Sequence, residues 1–369
     1  MRRAASIQLH PEALRHNLAV ARRLAPGVSM WSVIKAEGYG HGLLWAAEAL
    51  GADSDGLAVS QVGEARALRA AGFDGPLLVL QGPRDVTEAQ ACIEFALQPV
   101  VHDPAQLELL DVAGVTLPEV WVKVNTGMNR LGFEPRRAAG VAARLQAAGH
   151  AHAGLHWMTH LACADAPDHP QNARQLACFA DTVAAFPGYR SVANSASLFA
   201  GWGRGGDAAP AGHYWARPGI MLYGAHPASV PEGRPPEGPE GDLRPAMTVR
   251  APIIATQSLE PGESVGYGAT WTASGPGRAG IVAMGYADGY PRHAPSGTPV
   301  RVQDRICPLI GRVSMDMLAV DLSGVPDVQV GDLATLWGEG LPVERVARAA
   351  GTISYELLTR VADRLQPAR

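Results

Sequence analysis

Apolar positions recur along the first two-thirds of the chain in short β-type runs, separated by stretches of helical periodicity. The runs are "SVIK", "GLAVS", "PLLVLQ", "LQPVV", "VWVKVN", "GLHWMTH", "RSVANS" and "ARPGIMLYG". Between them stand segments such as "QVGEARALRAAG" and "PRRAAGVAARLQAAG", rich in Ala, Leu and Arg and closed by glycine. Eight β-runs with helical crossovers imply parallel pairing, and a closed barrel meets that count where an open doubly wound sheet usually has fewer strands. The pattern predicts an α/β fold whose residues 1–226 form an N-terminal (β/α)8 TIM-type barrel. Its first strand, about 5–10, is left open to pairing with the domain that follows.

The rhythm changes near residue 224. "HPASVPEGRPPEGPEGDLRP" is rich in Pro, Gly and Glu with little apolar content, so 227–245 reads as a linker or surface loop. Beyond it, "MTVRAPIIATQSL", "AGIVAMGYADGY", "PVRVQDRICPLIGRVSMDMLAVDL" and "DLATLWG" alternate between turns. They predict a mainly antiparallel β domain over 246–369, ending in a short helical tail, "LPVERVARAAGTISYELLTRVADRL".

Composition narrows the function classes. The 369 residues are too many for one ordinary core and suit two domains. Apolar residues make up 47% and charged residues 18%, the balance of a soluble globular protein. A net charge of −4 gives no general reason to expect nucleic acid or an anionic membrane as partner. The four cysteines show neither C-x-x-C spacing nor disulfide-scaffold density, and the basic start lacks an apolar segment behind it. A cytoplasmic location is expected, with no membrane span.

Chemistry concentrates at the ends of the barrel strands. Lys35 closes the first run in "WSVIKAEGYGHG" and could project into the mouth, where barrels place their sites. A partly desolvated lysine there can form a Schiff base with an aldehyde; a lysine paired with a carboxylate at a strand end fits the same pattern. Tyr39 and its neighbouring glycines suit a phosphate, as they suit a plain surface turn. Ser195 in "ANSAS" and Arg217 in "RPGI" close the last two runs, where barrels often bind phosphate. "GWGRGG" at 201–206 fits G-x-G-x-x-G without a strand-to-helix turn around it, so a dinucleotide site is not expected. His156 and His160 lack a matching ligand cluster, and no metal is assigned.

Together these segments resemble the bacterial alanine racemases, pyridoxal-phosphate (PLP) enzymes of fold type III. "VIKAEGYGHG" is similar to the family's PLP-lysine signature, and "KVNTGMNRLGF", "MTHLACAD", "NSAS", "RPGIMLYG", "SVGYGATWTA", "GYADGY", "GRVSMDM" and "ISYELL" follow in the family's order. The resemblance runs over nearly the whole chain. It implies racemisation of L- and D-alanine through a PLP external aldimine by two bases, supplying D-alanine for peptidoglycan. Lys35 would hold PLP and act as one base; Tyr267 would be the other.

The same resemblance implies that Tyr39, Ser195, Tyr355 and the backbone of Gly219 and Ile220 grip the phosphate. Arg217 would face the pyridine nitrogen, and as a poor proton donor would leave that ring a weak electron sink. His160 falls among the cofactor-binding groups. A free tyrosine is only ~0.1% ionised at pH 7, so the site must favour the Tyr267 phenolate by ~4 kcal/mol, with His160 and Arg217 as suppliers. Arg130 and Met315 would bind the substrate carboxylate, with Lys123, Asn194, Tyr286 and Asp316 behind them; carbamylation of Lys123 would orient Arg130. Tyr267 and Met315 would enter the site of the other chain in a head-to-tail homodimer.

Three positions depart from the family pattern: Glu37 and Gly38 replace Asn and Ala, and Asn125 stands where aspartate is common. Glu37 could place an extra carboxylate near the cofactor loop unless it points to solvent. A PLP racemase of another small amino acid such as serine is the nearest rival. A single-barrel PLP-binding homeostasis protein is a further one, and the long β domain bearing Tyr267 argues against it.

Overall fold

Strand β1 (Ser6–Leu9) leads into a helix, Pro11–Leu24, that starts on proline and carries Glu12 in its first turn and Arg22 and Arg23 in its last. Each choice suits the helix dipole and the unpaired end groups. Eight parallel strands then follow: β2 (Ser29–Val33), β3 (Gly56–Val59), β4 (Leu77–Val79), β5 (Leu97–Val101), β6 (Glu119–Lys123), β7 (Gly154–Met158), β8 (Arg190–Ser191) and β9 (Trp215–Ala216). Neighbours pair in chain order from β2 to β8, and β9 returns to β2 through Ser29↔Trp215 and Met30↔Ala216. Parallel bridges Arg190↔Tyr214 and Asn194↔Arg217 complete the cylinder. The structure is a computed structural model and describes residues 4–203, 214–227, 242–361 and 366–367. Most of the 227–245 linker, residues 204–206 of "GWGRGG" and part of the C-terminal tail lie outside the described residues.

Side chains fill the cylinder. Trp31 of β2 stacks on Trp215 of β9 with centroids 4.3 Å apart, and meets Trp121 of β6 edge-on at 6.2 Å. Strands β2 and β6 face each other across the barrel, so this contact spans its interior. Gly56 makes the room: a Cβ there would lie 2.3 Å from the Trp31 ring.

Two of the eight runs give strands of only two residues. "ARPGIMLYG" holds only the end of β9; Pro218 has no N–H to give a ladder, and Ile220–Tyr223 winds into a 3-10 turn. "RSVANS" ends early because the Asn194 side chain accepts the Ser197 N–H at 2.9 Å and starts the helix Ser195–Phe199.

The C-terminal domain is built from β10 (Met247–Leu259), β11 (Ser264–Val265), β12 (Trp271–Thr272), β13 (Gly277–Val282), β14 (Pro299–Val302), β15 (Arg305–Ile310), β16 (Leu318–Asp321) and β17 (Leu333–Trp337). Six of them pair antiparallel in the order β13-β16-β15-β14-β17-β10, and β10 pairs back onto β13. The 13-residue β10 serves both neighbours because its register shifts between Ile253 and Ala255, a bulge that bends the strand. β1 pairs antiparallel with β10, Ser6↔Arg250 to Leu9↔Met247, and parallel with β18 (Gln366–Pro367). The helical tail is two helices, Val343–Ala349 and Ser354–Arg360, parted at Gly351, where φ is +68°. One buried core runs through both domains.

Candidate active site

Lys35 follows β2, Lys123 ends β6, His160 follows β7, Ser195 follows β8 and Arg217 follows β9. All five stand at the C-terminal ends of their strands, the end at which barrels build sites. Of the chain's 31 lysines and arginines only two are lysine, Lys35 and Lys123. A chain that otherwise uses arginine for positive charge keeps its two amines here.

Lys35 opens a tight turn of unusual hand. Ala36, Glu37, Gly38 and Tyr39 all adopt left-handed torsions, φ 51–57° and ψ 40–58°. For the three that are not glycine this costs about 1–2 kcal/mol each. Local bonds hold it: Nδ1–H of buried His41 donates to the Gly38 and Tyr39 carbonyls at 3.1 and 3.0 Å, and Gly42 N–H donates to Glu37 O at 2.8 Å. The Ala36 N–H donates to Glu64 Oε1 at 2.7 Å, a partner 28 positions away that no local sequence signal marks. Strain of this kind persists where the surroundings over-determine the backbone.

The turn carries the Tyr39 ring onto Tyr223, centroids 4.7 Å apart, and sets its hydroxyl against Gly219. A Cβ on Gly219 would lie 2.6 Å from that oxygen, so only glycine leaves the corner open. Ser195 Oγ accepts the N–H of Gly219 at 2.9 Å and of Met221 at 3.4 Å, which leaves its own proton to donate. Ile220 is buried beside them. Tyr355 comes from the C-terminal domain of the same chain and brings its ring within 6.1 Å of Tyr39. Its helix rides on the turn so closely that a Cβ on Gly40 would lie 2.0 Å from Leu358 O. Burial pushes both hydroxyls up, Tyr39 strongly and Tyr355 to about 12, with Asp165 adding to the second. Both therefore stay protonated donors at neutral pH.

Positive charge crowds the rest of the mouth. Arg217 is buried with no carboxylate partner among the described residues; its guanidinium donates to Ser191 Oγ, to Thr159 O at 2.7 Å, to Val192 O at 3.3 Å and to His160 Nδ1 at 3.3 Å. Burial, then Arg130, lowers its pKa to about 10, so it remains a cation. Burial, then Arg217, holds His160 well below 6.5, and the ring is neutral. His160 Nε2 lies 3.4 Å from the Asn194 side-chain amide. Burial, with Arg217, Arg130 and Lys35 behind it, lowers Lys123 to about 7. Lys35 is lowered by burial, Arg130 and Arg217, while Glu64 opposes them. Lys123, Arg130, Thr159 and His160 line a common pocket at this mouth.

Within one chain the structure does not bring every sequence-predicted residue to this mouth. Tyr267 sits on the β11–β12 hairpin, 69% exposed, with no hydrogen bond or ring contact to the barrel groups among the described residues. The expected help from His160 and Arg217 is therefore not made within the chain, and neutral His160 has no positive charge to lend. Tyr286 and Met315, 40% and 54% exposed, also lie on the C-terminal domain. Tyr286 N–H donates to Ser314 O at 3.1 Å and Ala287 N–H to Met315 O at 2.9 Å, while Gly266 and Gly268 of the hairpin pack on Arg312. Asp316 is exposed beside them.

Comparison with known proteins follows the same division. The family profile "Alanine racemase, N-terminal domain" matches residues 9–227, and "Alanine racemase, C-terminal domain" matches 246–368. The chain belongs to the alanine racemase family. It is 50% identical over 371 residues to the alanine racemase of Thioalkalivibrio sulfidiphilus, covering 99% of each. The crystal structure of the biosynthetic alanine racemase from Pseudomonas aeruginosa superposes with a TM-score of 0.90 at 42% identity, over 100% of this chain and 99% of that one. That of the Bartonella henselae alanine racemase, solved with covalently bound pyridoxal phosphate, gives 0.83 at 25% identity over 99% of each chain.

The departures from the alanine racemase pattern have local explanations. Glu37 is exposed and its Oε2 accepts the Leu43 N–H at 3.3 Å, capping the next helix; the carboxylate that acts on Lys35 is Glu64. Gly38 eases a left-handed position and packs closely, since a Cβ there would lie 3.0 Å from Ala46 Cβ. The Asn125 side chain accepts from Gly127 and Asn129 N–H at 3.1 and 3.0 Å and donates to Asn129 Oδ1 at 3.0 Å, folding the loop that leads to Arg130.

Proposed function

We propose that this enzyme interconverts L-alanine and D-alanine, with PLP held on Lys35 and two bases, Lys35 and Tyr267 of the partner subunit, on opposite faces of the α-carbon. The observation that carries this reading is the charge of the barrel mouth. Lys35, Lys123, Arg130 and Arg217 act on one another there, and burial leaves each lysine less basic than usual. Such a site wants an anion. PLP and an amino acid supply a phosphate, a phenolate and a carboxylate, and Gly219 leaves room for the first of these beside the Tyr39 hydroxyl. When bound, PLP links covalently to the amino acid and draws electron density from the α-carbon, which acidifies its C–H bond.

The chain's own groups divide the remaining work. Tyr39, Ser195, Tyr355 and the backbone of Ile220 fix the phosphate with neutral donors, while Gly219, whose own N–H goes to Ser195 Oγ, leaves the room for it. Arg217, anchored by acceptors at the ends of β7 and β8, would face the ring nitrogen and keep its proton, with His160 Nδ1 accepting from its guanidinium and Asn194 bridged to its backbone. Arg130 meets the substrate carboxylate. Lys123, near half-neutral at pH 7, can add CO2; an N–C bond forms, one proton leaves, and the carbamate gives Arg130 an anionic partner. Lys35, with its amine free, takes or returns the α-proton on one face, and Tyr267 serves the other.

Tyr267 and Met315 reach the site from a second copy, with Tyr286 at the entrance and Asp316 behind. Their exposure in a single chain supports this head-to-tail homodimer. No described helix is long and apolar enough to cross a membrane, and the four cysteines are free thiols. We place the enzyme in the cytoplasm, making D-alanine for peptidoglycan. Incubation of the PLP-loaded protein with L-alanine in D2O tests the reaction. D-alanine carrying α-deuterium supports two-faced proton transfer; exchange with retention, or none, overturns it.

A further inference from the structure

The carboxylate that acts on Lys35 is Glu64, a residue with no part in the proposed proton transfer. Glu64 lies in the first turn of the helix Val62–Ala70, half-buried, behind the end of β3. Its Oε2 accepts the N–H of Ser60 at 2.7 Å and of Gln61 at 3.0 Å, the reciprocal capping arrangement of that helix. Its Oε1 accepts the N–H of Ala36 at 2.7 Å. A helix cap needs only the first two. The third bond crosses from one strand end to the next and falls on the residue after Lys35, the first in the left-handed turn.

We propose that Glu64 is the positioning residue of Lys35: its carboxylate ties the ends of β2 and β3 through three amides, holds the left-handed turn on which the lysine stands, and acts as the lysine's counter-charge without pairing with it. The three amides occupy the carboxylate, and the described residues include no ion pair between Glu64 and Lys35. The amine is thus left free to react. Among the described residues, Arg130 from the loop after β6 and Arg217 after β9 disfavour its charge, Lys123 at the end of β6 is coupled to it, and Glu64 opposes the two arginines. This rests on the reading of Lys35 as the reactive amine, but it can be tested without cofactor or substrate.

The near-absence of lysine makes the measurement simple, since Lys35 and Lys123 are the chain's only side-chain amines. Full-length protein freed of cofactor is labelled with trace acetic anhydride across pH 6–11, and peptide mass spectrometry follows each lysine. Only the neutral amine reacts, so each rate profile gives a midpoint. Glu64→Gln, close to isosteric, is expected to lower the Lys35 midpoint by about half a unit or more and to leave Lys123 in place. An unmoved Lys35 midpoint overturns the proposal. So does a rise in both midpoints, which marks general loosening and solvent entry. Glu64→Asp keeps the charge with a shorter reach, and serves should Glu64→Gln fail to fold. Its Lys35 midpoint should stay near wild type while hydrogen exchange at the Ala36 amide quickens about tenfold or more; unchanged exchange overturns the clamp. None of these readouts depends on racemisation, so failure here is separable from failure of the functional reading.

Discussion

The Arg217 guanidinium donates to His160 Nδ1 at 3.3 Å, and the direction of that bond sets the state of both side chains. Arginine has only donors, so Nδ1 must be the bare nitrogen of a neutral ring. His160 is thereby one of four acceptors, with Ser191 Oγ, Thr159 O and Val192 O, that hold a buried cation with no carboxylate partner among the described residues. An ammonium cannot reach acceptors spread around a planar fork. Arg217→Lys is expected to leave at least one of them unsatisfied, at about 1–3 kcal/mol. Urea unfolding of the cofactor-free protein checks this, and an unchanged midpoint would show that the fork is not needed for stability.

Gly219 gives a sharper test of the phosphate corner. A methyl group at this position would meet the Tyr39 hydroxyl at 2.6 Å and its ring carbon at 3.3 Å. Tyr39 cannot retreat, because its ring is stacked on Tyr223 behind it. Gly219→Ala is expected to weaken PLP binding about tenfold or more, since ~1.4 kcal/mol of lost contact is already a factor of ten. Equilibrium titration with PLP measures it; binding as tight as wild type would remove Gly219 from the cradle.

How far the chain could be read in advance depended on the range of each signal. The barrel was legible because each strand is a local apolar run, and Lys35, Ser195 and Arg217 sit where those runs stop. The lengths of the last two strands were not, because Pro218 and the Asn194 cap end pairing through hydrogen bonds that an apolar run does not reveal. The family motif carried Tyr267, Tyr286 and Met315, which no periodicity selects. Glu64 escaped because a glutamate in the first turn of a helix reads as an ordinary cap; its bond to Ala36 spans 28 positions. A usable clue to Lys123 lay in plain composition, for a chain with 31 basic residues places both of its lysines at the mouth.

The depressed lysine also ties stability to pH. Lys123 titrates near 7 in the folded chain against 10.5 when unfolded, with burial the main cause and Arg217 next. Below about pH 7 both states bind the proton and the cost of burying the cation is fully present. Between 7 and 10.5 the unfolded state binds more protons, so unfolding becomes harder as pH rises. Lys123→Met removes this dependence. In CO2-free buffer without cofactor, the wild-type Tm should gain on that of Lys123→Met from pH 7 to 9.5; parallel curves would contradict the assignment. His160 does not confuse the comparison, because its proton difference lies below 6.5.

The division of groups between a barrel mouth and an exposed C-terminal surface makes a quantitative claim about assembly. If each site takes Lys35 from one chain and Tyr267 from its partner, Lys35→Ala and Tyr267→Phe damage the same sites in their own homodimers. In a hybrid dimer they fall differently: one site carries both defects and the other carries neither. Random reassortment makes half of the dimers hybrid, each with one intact site of two, so mixing the inactive variants by co-expression should restore roughly a quarter of wild-type activity. Were Tyr267 to serve the barrel of its own chain, every site in the hybrid would hold one defect and no activity would return. Tagging the two chains differently and purifying the hybrid on both tags raises the expected recovery to about half, because every dimer then holds one intact site.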